Sequence, residues 1–156
     1  MDAFENKLIN VAATGGRHKY IQEGNHRLRL KRFVFRDGYT GKSIIAEMEV
    51  VETTNEEDHY PGQTVSDVFK MNKDISIGNY KALVFTVFQL PGVDLMEDFN
   101  EASPDEKLTM LKMPYEAQEG TMFAGAEFDC EAVATTTRAG DPFTRLNYSV
   151  PEDDEE

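Results

Sequence analysis

Between Arg27 and Lys31 the chain reads Arg-Leu-Arg-Leu-Lys, a strict alternation of cationic and branched apolar side chains. Successive side chains of a strand point to opposite faces, so this period of two sets Arg27, Arg29 and Lys31 on one face and Leu28 and Leu30 on the other. Wound as a helix, the same residues would scatter their leucines around the axis. Tyr20 to Phe35 is therefore expected to form a strand with one face in a core, and the rest of the chain must complete that core. Phe33 and Phe35 continue the parity of the cations. That sets two rings at the end of a basic strip unless a bulge at Lys31-Arg32 resets the register.

The segments that follow have the right periods. Asp37-Gly38-Tyr39-Thr40-Gly41 reads as a hairpin loop, and Ile44 to Val51 as a second strand with Ile44, Ala46, Met48 and Val50 on one side. Asn55 to Gln63 is rich in turn residues, and Thr64 to Met71 is a third strand. Ile75 to Leu90 carries Tyr80, Val84, Val87 and Phe88 at helical spacing, with Pro91-Gly92 as its stop. Ser103, Pro104 and Glu106 supply the N-cap, first position and capping box of another helix, expected to run to about Met113 before Pro114. Glu127 to Thr137 alternates again, Arg138 to Pro142 turns, and Phe143 to Val150 returns.

Five strands with helical material between the third and fourth is the order of the OB-fold, a small Greek-key barrel; another small α+β barrel or sandwich fits the same periods. The expected fold is thus mainly β with one or two helices. A chain of 156 residues has room for one such domain, placed at 17–150. A peripheral segment, 1–16, precedes it, in which Phe4, Leu8, Ile9 and Val11 suit a short helix, and an acidic tail, 151–156, follows.

Charge is distributed unevenly. Lys and Arg number 16 against 29 Asp and Glu, a net charge of −13. Yet residues 17–42 hold eight basic side chains (Arg17, Lys19, Arg27, Arg29, Lys31, Arg32, Arg36 and Lys42) against Glu23 and Asp37, a local charge of +6 that leaves −19 for the remainder. The overall charge disfavours a polyanionic partner, but binding follows the local potential. Cations that end in aromatic rings suit single-stranded nucleic acid, where phosphates meet the cations and unpaired bases stack on the rings. Arg27, Arg29, Lys31 and Lys42 are the expected phosphate contacts and Phe33 and Phe35 the expected stacking platforms. Tyr39, Phe143 and Arg145 are additional candidates. Glu152, Asp153, Asp154, Glu155 and Glu156 form a solvated polyanion after Pro151, suited to compete for a basic groove or to contact basic partners.

The catalytic inventory is thin. His18, His26 and His59 stand in no ligand spacing, Cys130 has no CxxC partner, and no phosphate-binding loop motif is written, so neither a metal nor a cofactor is expected. Glu47 with Glu49, or Glu56-Glu57-Asp58-His59, are the acid groups that a metal-dependent nuclease would use; on strands and loops such acids more often form a solvated surface. No apolar run reaches the roughly 20 residues of a membrane helix. The N-terminal residues lack the pattern of a secretory signal, and a single cysteine points to a reducing setting, so a cytoplasmic protein without a membrane partner is expected.

Four segments together resemble the OB-fold single-stranded-DNA-binding proteins of bacteriophages: YIQEGNHRLRLKRF from Tyr20, GYTGK from Gly38, FDCEAVATTTRAGDPFTRLNYSV from Phe128, and the terminal EDDEE. The resemblance covers roughly residues 17–156. It implies a non-enzymatic protein that coats and protects single-stranded DNA in phage replication, recombination or repair, in the host cytoplasm. The acidic tail would then contact replication or recombination proteins. Tails of this family often end in an aromatic residue, whereas this chain ends in Glu156 and its nearest ring is Tyr148. A homodimer contact through residues 1–16 is left open. The alternative reading is an acidic interaction protein that mimics DNA or inhibits a host enzyme.

Overall fold

In a computed structural model, which describes residues 20–152, the chain forms a five-stranded antiparallel sheet and three α-helices. The expected helix within 1–16, the cations Arg17 and Lys19, and tail residues 153–156 lie outside the described residues. Strands β1 (Gly24–Gly38), β2 (Gly41–Thr53) and β3 (Thr64–Lys70) form a meander. Helices α1 (Asp74–Gln89), α2 (Met96–Glu101) and α3 (Pro104–Glu116) and a short 3-10 turn (Ala117–Gly120) come next, before the hairpin β4 (Glu127–Thr136) and β5 (Pro142–Ser149). The spatial order is β3-β2-β1-β4-β5, which makes β3 and β5 the two edges.

The leucines of the opening alternation are fully buried, together with Ile44, Ala46, Met48 and Val50 of β2 and Phe128, Cys130 and Ala132 of β4. Against this face packs α1, whose buried Tyr80, Leu83, Val84, Val87 and Phe88 recur at the spacing of one helical stripe. Its β-branched residues cost helix propensity, which burial outweighs. Tyr80 meets Phe33 and Phe69 edge-on and donates its hydroxyl to the Leu111 carbonyl at 2.8 Å, fastening α3 to α1.

Helix α3 begins where the capping residues place it, with the Ser103 hydroxyl accepting from the Glu106 amide at 3.2 Å. It does not stop before Pro114 but includes it, three residues from the end. Proline there removes one backbone donor, and the Ala117 amide closes the helix on the Met113 carbonyl. Helix α2, only six residues long, has no counterpart among the sequence expectations.

Two features shape the sheet. The first is a register shift between Leu30 and Arg32, which leaves Lys31 as an extra residue on β1. Lys31 and Arg32 are both exposed, and Phe33 turns into the core at 2% exposure. The second is curl. In a flat sheet β3 and β5 would lie about 19 Å apart, four strand spacings. Instead the Tyr148 hydroxyl of β5 lies 2.6 Å from a carboxylate oxygen of Asp67 on β3, so the sheet bends until side chains of its two edges touch.

A pair of buried histidines fixes the entry to β1. His26 Nε2 donates to the Gln22 carbonyl at 2.8 Å, and its Nδ1 is hydrogen-bonded with the Thr53 hydroxyl, also at 2.8 Å. His59 Nε2 accepts from the Gln22 amide at 2.8 Å, so its Nδ1 donates to Gln63 Oε1. The two rings meet edge-on, centroids 5.1 Å apart.

Candidate nucleic-acid interface

The cations of the alternating segment stand on the outer face of the sheet, as their parity requires, but they are not free. Arg27 donates to Asp129 on β4 at 2.5 Å, and Arg29 donates to Glu127 at 2.9 Å and to Glu49 on β2 at 3.4 Å. Arg32 pairs with Glu47. Register explains each pair, since Arg27 lies opposite Asp129 and Glu52, Arg29 opposite Glu127 and Glu49, and Arg32 opposite Glu47. The hydrogen bond to Asp129 raises the Arg27 pKa, and that to Glu127 raises the Arg29 pKa. Three arginines thus share this face with six carboxylates, Glu47, Glu49, Glu52, Glu127, Asp129 and Glu131. The middle of the face is a lattice of ion pairs with an excess of negative charge.

Three cations without a carboxylate partner lie near one another at the hairpin end of the sheet. Beyond the bulge, Arg36 lies opposite Ser43, which lies opposite Lys70 of β3, so Arg36 and Lys70 flank one cross-strand row. Lys42 lies opposite Asp37 at the same end. Among the described residues, Arg36, Lys42 and Lys70 make no ion pair. Rings accompany them: Tyr39 is fully exposed at the hairpin tip, and Phe35 stacks on Tyr115 of α3 with centroids 5.2 Å apart and planes 16° from parallel. Lys31 reaches across to the Thr64 hydroxyl at 3.2 Å.

The sequence-derived set is therefore divided. Phe33 is corrected from a stacking platform to a core residue, because the extra residue at Lys31 reverses its side, and the same shift turns Phe35 away from the arginines' face and onto Tyr115 of α3. Arg27 and Arg29 share a face as expected, with their charge taken up by neighbouring strands. Phe35, Tyr39 and Lys42 come together at the hairpin end. Phe143 and Arg145 lie apart from it on β5, exposed, at the rim of a cavity between the two sheet edges. Glu152 is exposed, and the other tail acids lie outside the described residues. Lys70 and Tyr115 were missed: nothing near Lys70 in the sequence marks it as basic surface, and only strand pairing sets it beside Arg36.

Three of the acids weighed as metal ligands have other partners. Glu47 and Glu49 bind Arg32 and Arg29, and Asp58 accepts from Asn55 at 2.9 Å. Among the described residues, no group of three or more His, Cys, Asp and Glu side chains is placed to hold a metal ion. No described helix is long and apolar enough to cross a membrane. Inside the sheet, burial pushes the Asp67 carboxyl up to about 6, against the opposing effect of hydrogen bonds from Tyr148 and the Val68 amide. Burial, reinforced by the Asp67 charge, pushes the Cys130 thiol up to about 12. The chain matches no protein-family model and no curated protein.

Proposed function

We propose that the protein binds single-stranded DNA without sequence preference, through the hairpin end of β1–β2 and the adjoining end of β3, on an OB-fold. Strand order supports the fold, since β3-β2-β1-β4-β5 with helices between β3 and β4 is the OB arrangement, whose β2–β3 face and β1–β2 loop carry oligonucleotides. The observation that carries the function is the nearness of Arg36, Lys42 and Lys70, none in an ion pair, at the end of the sheet where the ring of Tyr39 is fully exposed. Cations there track phosphates, and rings accept unpaired bases. In phage replication, recombination or repair, such a protein would coat exposed strands, while the tail competes for the same cations or contacts partner proteins.

A second reading, an acidic protein that occupies another protein's DNA-binding surface, is favoured by the six carboxylates around Arg27, Arg29 and Arg32. Anisotropy of a labelled oligo(dT) across a salt series separates the two. Replacing Arg36, Lys42 and Lys70 with alanine should weaken binding and flatten the log–log salt slope by about two units, as three lost phosphate contacts require on a single strand. Replacing Arg27 and Arg29 should change the slope by less than about one unit. Wild-type affinity and slope in the hairpin-end variant would overturn the single-strand reading.

A further inference from the structure

The hairpin of β4 and β5 runs on beyond the rest of the sheet. β1 pairs with β4 no further than Gly24 with Ala132, whereas Val133 to Thr136 pair only with Arg145 to Pro142 of β5. A ribbon of two strands is marginally stable by itself in water, and this one exposes side chains on both faces. Backbone groups alternate in direction along an antiparallel strand. The Ala126 carbonyl accepts from Leu30 on the β1 side, and the Thr137 amide donates to Asp141 on the β5 side. Ala134 and Thr136, of the same parity as Ala126, therefore direct N–H and C=O past the end of β1, where no described strand pairs with them. The other edges are stopped. On β3, Tyr20 bridges to Ser66 and the Asp67 carboxylate takes the Val68 amide. On β5, Pro142 stands at the tip with no N–H to offer.

We propose that this edge pairs with the same edge of a second copy, Val133 to Thr136 of the two chains running antiparallel about a two-fold axis at Thr135. The two ribbons then form one four-stranded sheet. The open groups fix the register: with Thr135 facing Thr135, Ala134 of each chain exchanges both its hydrogen bonds with Thr136 of the other. Thr135 lies opposite Phe143, so the outer face carries the row Phe143, Thr135, Thr135, Phe143 across the four strands. Charge favours this meeting place. At −13 per chain, two copies repel one another over most of their surface. From Ala132 to Leu146, however, the ribbon holds Arg138 and Arg145 against Asp141 alone, and Val133 to Thr137 carry no charge. Beside it lies a cleft of about 650 Å³ lined by Glu23, Glu56, Glu57 and Asp58 together with Ala134 and Thr144. Pairing about Thr135 brings the partner's Arg138 level with Ala132, whose neighbour Gly24 also lines that cleft. A cation of each copy thus meets the acids of the other. A nucleic-acid strand would face the same acids with phosphates and could not complete a row of amides and carbonyls.

So short an edge buries less than the roughly 1,200 Å² of the smallest stable interfaces, so the pairing is weak and depends on concentration. Sedimentation equilibrium of the full chain should show the mass climbing from one chain towards two, with a dissociation constant of about 0.1 mM. Ala134→Pro removes one donor from the open edge and leaves the β4–β5 ladder, whose β4 groups belong to Val133 and Thr135; it should weaken association by about tenfold or more. Arg138→Glu should weaken it too, and by less at high salt. A variant that needs no proline tests the register. Facing residues at such a position have Cα atoms about 4.5 Å apart, within disulfide reach, and the native Cys130 is buried. Diamide should therefore link Thr135→Cys chains far faster than Thr109→Cys chains, whose thiol stands on the exposed surface of α3. A chain that stays single up to about 1 mM would overturn the proposal, as would linkage no faster than in the α3 control. Loss of oligo(dT) binding in Ala134→Pro with an unchanged mass curve would also overturn it, making the ribbon a DNA contact instead.

Discussion

The Tyr148 hydroxyl donates to the Asp67 carboxylate over 2.6 Å and so joins two strands at opposite edges of one sheet. Tyr148 is held there by its edge-on contact with Phe128, centroids 5.5 Å apart, and burial, reinforced by the Asp67 charge, raises the Tyr148 pKa well above the ordinary value. The contact places a titratable carboxyl in a desolvated setting, and its consequences for stability have a definite sign.

Asp67 ionises near 3.8 when exposed and near 6 in the folded protein. A raised folded pKa means that the native state holds the proton more tightly, so this contribution is complete below pH 3.8 and is lost as pH rises through 6. Relative to wild type, Asp67→Asn should therefore become more stable as pH climbs from 4 to 7, by up to about 3 kcal/mol. Urea unfolding at several pH values reads the difference directly; parallel curves for the two proteins would refute it.

His26 acts in the opposite direction over a neighbouring window. Burial chiefly lowers its pKa below 6.5, with the nearby His59 adding to the effect and the Gln22 carbonyl opposing it. A depressed base contributes stability that is present above pH 6.5 and lost as pH falls through the folded value. His26→Gln, which cannot titrate, should lose less stability than wild type between pH 7 and pH 5. Thermal melts at the two pH values check this, and equal losses would argue against it.

Gly120 sits at φ +85° with its α-carbon against β1, where an added Cβ would lie 1.9 Å from the Phe33 carbonyl oxygen. Gln118 and Glu119 before it also adopt left-handed backbone, so the turn has little freedom to retreat. Gly120→Ala should destabilise the fold by about 3 kcal/mol or more, in denaturant midpoint with unchanged slope. Gly140→Ala, in a turn with open space around it, should cost far less.

The tail offers a prediction from charge alone. Removing Glu152, Asp153, Asp154, Glu155 and Glu156 takes five negative charges from −13 and leaves −8. Oligo(dT) affinity should rise at low salt and converge with that of the full chain as screening shortens the Debye length below about 10 Å. Superimposable curves at every salt concentration would leave the tail with no part in binding.

Much of the fold could be read from side-chain period. The alternation around Leu28 and Leu30 places β1, the stripe of Tyr80, Val84, Val87 and Phe88 places α1, and Ser103 starts α3. Local pattern fails where position depends on a distant partner. The two successive cations Lys31-Arg32 mark where a bulge could fall, but only pairing with β2 shows that one residue is surplus there. Phe33 changes face for that reason. Likewise, Arg27 and Asp129 are 102 positions apart, so their ion pair follows from β1–β4 register and from nothing near either residue. The basic stripe was legible as composition; its neutralisation was not.

The seam between β3 and β5 also governs how the molecule fluctuates. Every ladder of the sheet lies on one side of an edge strand, so the seam can part by rupturing side-chain contacts and leave all backbone pairing in place. Amide protons of β1, bonded to β2 and β4, should exchange with solvent only on deep unfolding, whereas those of β3 and β5 that point into the gap should exchange through small, frequent openings.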